Sequence, residues 1–123
     1  MDQEIKKLKT LLRPLGKKAL GTYLFGSVVE GTNHPKSDID ICVVAGKKKD
    51  ELYKETNMLM AKHPNLDIKL FEELPLYLKN RVMEKGVLLY SADELELGMY
   101  LRFYRRLWNE QAITRLGYAK ATA

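Results

Sequence analysis

Apolar and polar positions along this chain follow two different periods, and the switches between them mark its elements. Ile5, Leu8, Leu12 and Leu15 recur at helical spacing behind Asp2, a residue suited to a helix cap, and Pro14 with Gly16 predicts where that helix ends. Leu20 to Phe25 is β-prone and runs into Gly26-Ser27, after which Val28 to Glu30 has room for one helical turn closed by Gly31. Thr32 to Lys36, with Asn33 and Pro35, reads as loop. From Asp38 the pattern alternates and then becomes continuously apolar up to Val44, which suits a strand buried on at least one face, and Gly46 stops it. Helical spacing returns from about Asp50 to Lys62, with Leu52, Thr56, Leu59 and Met60 on one side and Pro64 as the break. Asn65 to Phe71 alternates again as a third strand, and Pro75 opens a helix that runs to Lys85 before Gly86. Val87 to Tyr90 is a short fourth strand. Ser91 and Glu94 then stand at capping-box spacing ahead of the longest helix, whose apolar stripe is Leu97, Leu101, Tyr104 and Trp108. Strands alternating with helices predict an α/β (α+β) layer architecture, a small sheet flanked by helices.

Composition narrows this picture. A chain of 123 residues has room for one domain, expected here to span residues 1–123 with the C-terminal helix starting near residue 91, and 46% hydrophobic residues can supply its core. The formal charge of +5 is a mild basic excess that suits polyanions such as nucleotides or RNA. Cys42 stands alone and can form no internal disulfide, and Met1 to Lys7 lacks the apolar core of a signal peptide, so a reducing cytoplasm is the expected compartment. The longest apolar run, Ile41 to Gly46, falls far short of the roughly 20 residues that a membrane-spanning helix needs, so no membrane partner is expected.

Candidate chemistry gathers in the first half of the chain. Strand alternation places Asp38 and Asp40 on one face while Ile39, Ile41 and Val43 point to the other. Two adjacent carboxylates repel each other unless protons or cations compensate, and Mg²⁺ prefers such hard oxygen ligands. Gly26-Ser27 lies between a strand and a turn, where backbone N–H groups and the Ser27 hydroxyl can face a phosphate. Asp67, in the alternation Leu66 to Leu70, faces away from the core on the next strand, which could bring it beside Asp38 and Asp40. Taken singly, these residues have plainer readings: an Asp-x-Asp is usually a solvated edge, Ser27 a helix cap and Gly31 a turn. Lys69 reads as a solvated strand residue, Lys47 to Lys49 as an exposed junction, His34 and His63 as surface, and Cys42 as inert core.

Gly26-Ser27, ten residues and Asp38-x-Asp40, with Leu24-Phe25 before the first glycine, Gly31 after it and Ser37 to Ile41 as the acidic strand, together resemble a known signature. It is that of the nucleotidyltransferase superfamily related to DNA polymerase beta, and the small size looks like its minimal nucleotidyltransferase branch. The similarity runs from Leu20 to about Phe71. It implies a nucleotidyltransferase fold whose mixed sheet carries all three acids, with ATP as substrate and two Mg²⁺ ions as cofactors. Carried over, Asp38, Asp40 and Asp67 become metal ligands and catalytic acids, and Gly26 and Ser27 the phosphate contacts. The minimal branch is known as the antitoxin half of two-gene pairs, where it moves AMP from ATP to a tyrosine of a helical HEPN ribonuclease toxin. The resemblance thus implies a partner on a separate chain. The HEPN signature itself, Arg followed four to six residues later by His, is absent, so this chain is not the toxin. In the implied reaction the tyrosine hydroxyl attacks the α-phosphate in line, with Asp67 placed to assist its deprotonation.

Two features stand apart from the family pattern. Where the superfamily often carries a basic residue after Gly-Ser, this chain has Val28, Val29 and Glu30, leaving Lys36 or the Lys47 to Lys49 run as sources of triphosphate affinity. In the last helix Arg102, Arg105 and Arg106 lie near Tyr100, Phe103 and Trp108, as the charged outer face of a docked helix, as a nucleic-acid surface, or as a partner surface probed by Tyr100, Phe103 and Arg106. Transfer to RNA or to a small hydroxylated molecule, and a non-catalytic module that blocks its partner sterically, are the alternative functions; nucleic acid is not the favoured partner.

Overall fold

A computed structural model of the chain describes residues 2–26 and 39–122. Four strands, β1 (Gly21–Phe25), β2 (Ile39–Val44), β3 (Leu66–Leu70) and β4 (Val87–Tyr90), form one mixed sheet in the order β3-β2-β1-β4. β1 runs antiparallel to both β2 and β4, while β2 and β3 are parallel. A parallel neighbour needs a crossover, and α3 (Lys49–Lys62) provides it. The remaining helices are α1 (Asp2–Leu11), α2 (Arg13–Lys18), α4 (Leu76–Lys85) and α5 (Glu94–Thr122).

Strand periodicity sorts the core into two layers. On one side of the sheet Leu24, Ile41, Val43 and Ile68 bury against Leu8 of α1, Leu12 between α1 and α2, Leu15 of α2 and Leu52 of α3. On the other, Cys42 and Val44 pack with Phe71 and with Val82, Leu97 and Leu101 of α4 and α5. Each fully buried Leu or Val contributes on the order of 1.5–3 kcal/mol relative to exposure, so sheet and helices hold each other in place. Ile39, Ile41 and Val43 share the first layer, as their alternation requires.

Two boundary expectations are corrected. Pro14 and Gly16 do not end the first helix: the chain breaks at Leu12 and resumes as α2, with Pro14 in its first turn and Gly16 buried inside it. Pro14 fits there because first-turn N–H groups have no helical partner to lose. Gly16 is needed because a β-carbon on it would lie 2.7 Å from Cδ1 of the Tyr90 ring. Ser91 and Glu94 do not form the capping box of α5. Asp93 Oδ1 accepts the Glu96 N–H at 3.0 Å instead, and Ser91 Oγ donates to the Leu20 carbonyl at 2.7 Å, fastening the entry of α5 to the start of β1.

Candidate active site

The end of β1 and the beginnings of β2 and β3 lie side by side at one end of the sheet. Phe25 pairs with Asp40, and Asp40 pairs in turn with Asp67 across the parallel β2–β3 ladder. In-register partners on neighbouring strands, about 4.8 Å apart, project their side chains to the same face, so the two carboxylates stand next to each other. That face is the one that Tyr23, Phe25 and Cys42 present towards α4 and α5. Both acids are half-buried, and Lys69 Nζ lies 3.6 Å from Asp67 Oδ2, an exposed pair of small energetic weight. Lys69 is accordingly a surface strand residue that borders the site.

Gly26 follows β1 with φ +84°, a left-handed conformation that side chains disfavour. A β-carbon at this position would sit 2.2 Å from Asp40 Oδ2 and 3.0 Å from its Cγ. The glycine therefore does two things at once: it turns the chain out of β1 and leaves the space that the Asp40 carboxylate occupies. Ser27 and Asp38 lie outside the described residues, as do Val28 to Glu30, Gly31, His34 and Lys36. Among the described residues no group of three His, Cys, Asp or Glu side chains converges as a metal site; Asp40 and Asp67 form a pair. Paired hard oxygens of like charge are the donor chemistry that Mg²⁺ takes, so the residues present fit that ion.

Lys47 to Lys49 do not join the acids. Lys47 and Lys48 lie in a 3-10 turn beyond the far end of β2, and Lys49 pairs with Glu73 at 3.6 Å. Five steps of extended strand separate Asp40 from Ala45, roughly 16 Å. Cys42 is fully buried, and desolvation raises its thiol pKa well above the ordinary value, as expected of inert core.

Residues 6–95 match the family model described as polymerase beta, nucleotidyltransferase. The chain belongs to the polymerase beta nucleotidyltransferase family. A curated relative from Methanocaldococcus jannaschii, named "Putative protein adenylyltransferase", is 36% identical over 93 residues, which is 76% of this chain and 72% of the relative. The fold also matches a chain of a toxin–antitoxin crystal structure with AMP-PNP, at TM-score 0.70 and 23% identity over 96% of this chain and 97% of that one. A second structure, of a tri-AMPylated Shewanella oneidensis HEPN toxin in complex with an MNT antitoxin, matches at TM-score 0.66 and 20% identity over 99% and 98% of the two chains. At these identities the structural matches establish the nucleotidyltransferase fold, whose mixed four-stranded sheet with flanking helices is the one seen here.

Two polar residues escaped the sequence reading. Glu72, in the turn after β3, accepts the Ala45 N–H at 3.1 Å, the Gly46 N–H at 2.9 Å and the Tyr100 hydroxyl at 2.7 Å. Lys79 of α4 is buried, donates to the Leu74 carbonyl, and lies 5.7 and 5.4 Å from the Phe71 and Tyr104 ring centroids. Neither carries a local signal, because their partners are distant in sequence or come from another element. Tyr100, proposed from sequence as a partner contact, is thereby a structural residue tied to Glu72, whereas Phe103 and the three arginines Arg102, Arg105 and Arg106 are exposed. Among the described residues no helix is long and apolar enough to cross a membrane.

Proposed function

We propose that this chain transfers AMP from ATP to a tyrosine hydroxyl of a protein partner, a HEPN-class ribonuclease toxin for which it serves as the antitoxin. The observation that carries this reading is the in-register Asp40–Asp67 pair set against Gly26 in a member of the polymerase beta nucleotidyltransferase family. The adenylyl transfer named for the M. jannaschii relative, and the AMP-PNP and AMPylated HEPN toxin named for the structures that share its fold, support the choice of donor and acceptor.

In this reading Asp40 and Asp67, together with Asp38, would hold Mg²⁺, two ions in the full site. The metal supplies Lewis-acid stabilisation of the negative charge on the attacking and leaving oxygens. The backbone of Gly26 and the hydroxyl of Ser27 hold the triphosphate. A tyrosine hydroxyl has an ordinary pKa near 10 and needs a base at neutral pH, and Asp67, at the edge of the carboxylate pair, takes its proton. The tyrosyl oxygen bonds to the α-phosphorus, the α–β anhydride bond breaks, and pyrophosphate leaves.

The test is transfer of label from α-labelled ATP to the purified partner in Mg²⁺. Wild-type protein should label it, and the Asp38→Asn/Asp40→Asn double variant should not. An unlabelled partner, with this protein folded and nucleotide-bound, would overturn the enzyme reading in favour of steric blocking, and retention of a γ-label would indicate a kinase. Asp67→Asn should lower kcat far more than it raises the KM for MgATP, because Asp38 and Asp40 still hold the ion while the base is lost. Equal loss of nucleotide binding would contradict its role as base.

A further inference from the structure

A second basic feature lies on the edge of the sheet away from the acids. Lys9, Arg13 and Lys17 follow one another at four-residue intervals across α1 and α2. Across the break at Leu12 the N–H groups of Leu12 and Gly16 still bond the carbonyls of Leu8 and Leu12, both at 2.9 Å, and the three cations gather on one surface. Together with Thr10 and Tyr90 they line a cavity of about 380 Å³, with no acidic residue among the described residues that line it. All three are exposed, and none has an ion-pair partner among the described residues. Their neighbour Lys18, by contrast, is held by Glu51 and Glu55.

Tyr90 gives this stripe its specificity. It closes β4, the edge strand, and its ring rests on Gly16, whose missing β-carbon leaves the space the ring fills. The residue is still 45% exposed, so the ring is held by Gly16 along its Cδ1–Cε1 edge while the residue reaches solvent. Tyr90 pairs with Thr22, three positions along β1 from Phe25 and the Asp40 pair, so this surface is distinct from the nucleotide site. Lys17 also lines an adjoining cavity of about 460 Å³ with Lys47 and Lys48, whose rim carries Asp93 and Glu96.

A supported aromatic ring flanked by unpaired cations is the arrangement that binds single-stranded nucleic acid, in which cations follow phosphates and a base stacks on the ring. An acidic protein segment would engage the same cations, and the response to Tyr90 substitution separates it from a nucleic acid. We infer that Lys9, Arg13, Lys17 and Tyr90 form a binding site for single-stranded nucleic acid, separate from the nucleotidyltransferase site and independent of the acceptor proposed for it.

The experiment titrates fluorescein-labelled dodecauridylate with the full chain across a range of salt concentrations, following anisotropy. Wild type should bind with strong salt dependence. The Lys9→Gln/Arg13→Gln/Lys17→Gln variant, altered only at exposed positions, should lower the slope of log K against log salt by about 2, the release expected for three phosphate contacts on a single strand. Tyr90→Leu, which keeps an apolar side chain over Gly16, should weaken binding about tenfold or more, and Tyr90→Phe should restore it, since stacking contributes roughly 1–3 kcal/mol per base. Circular dichroism and thermal melts should show all three variants folded. An unchanged slope in the triple variant would overturn the proposal. So would displacement by an oligoglutamate of equal charge that is as effective as unlabelled RNA and indifferent to Tyr90→Leu, because the surface would then be one for acidic protein.

Discussion

Carboxylates occupy both ends of β2, and the two ends treat them in opposite ways. At the far end Glu72 is completed by the chain itself: two backbone N–H groups and the Tyr100 hydroxyl converge on it, joining the β2 exit, the turn after β3 and α5. At the near end Asp40 and Asp67 are placed beside each other, like charge against like, around a glycine whose missing side chain makes room for one of them. The first arrangement lowers the free energy of the fold, because each donor it satisfies would otherwise lose its partner. The second sets two carboxylates of like charge side by side, the donor arrangement that a divalent cation takes. The difference sets an acid that ties the fold together, at one end of β2, apart from the acids proposed to serve a ligand at the other.

The sharpest break of this comparison is Asp40→Asn. Transfer of AMP to the partner should fall by about 10³-fold, the scale of several kcal/mol of lost charge stabilisation, while the unfolding free energy stays level or rises as repulsion with Asp67 is removed. Labelled transfer and urea unfolding measure the two sides. Gly26→Ala should come next: its β-carbon would meet Asp40 Oδ2 and its left-handed backbone would add about 1–2 kcal/mol of strain, so activity should drop roughly 10²-fold through displacement of the carboxylate, with a lower melting temperature. Glu72→Ala should invert the pattern. It strands two N–H groups and a hydroxyl, and urea unfolding should show a loss of about 2 kcal/mol, while kcat of the folded fraction is unchanged. A kcat loss in folded Glu72→Ala would mean that the two ends are coupled.

Tyr100→Phe is the smallest effect, about 1 kcal/mol for one hydrogen bond to a carboxylate, and it carries a pH signature. Burial, with the neighbouring Tyr104 hydroxyl and Glu72 carboxylate, raises the Tyr100 pKa above its ordinary value of 10.0. A group raised in the folded state stabilises fully below its unfolded pKa and loses that contribution as pH climbs towards the folded one. Wild-type stability should therefore fall as pH rises above 10, and Tyr100→Phe should flatten part of that fall. Melting temperatures of both proteins across pH 9 to 11 decide it; parallel curves would show that Tyr100 titrates as an ordinary tyrosine. Cys42 and Tyr23, which burial raises, and Lys18, which its bonds to Glu55 and Glu51 raise, add to the alkaline sensitivity in the same direction.

Much of this was legible in advance, and the failures have a common cause. The alternation over Leu66 to Leu70 placed Asp67 on the face opposite Leu66, Ile68 and Leu70 because a strand has only two faces, and that apolar set claims one of them. Gly16 was misread because a glycine that ends a helix and a glycine that lies under a ring look alike in sequence. Ser91 was misread because a capping serine and a serine that ties one strand to another differ only in what stands opposite.

By itself, then, the sequence determined the elements and the face each side chain takes, since both follow from periods of two and 3.6 residues that act locally. It also carried the Gly-Ser and Asp-x-Asp spacing that marks the family. Only the tertiary structure decided which strand lies beside which: that Asp40 meets Asp67, that Glu72 reaches Ala45, Gly46 and Tyr100 from 26 to 28 residues away, and that Tyr90 comes to rest on Gly16. Those contacts depend on sheet order and on helix packing, which are fixed by burial of the whole core, and no local pattern encodes them.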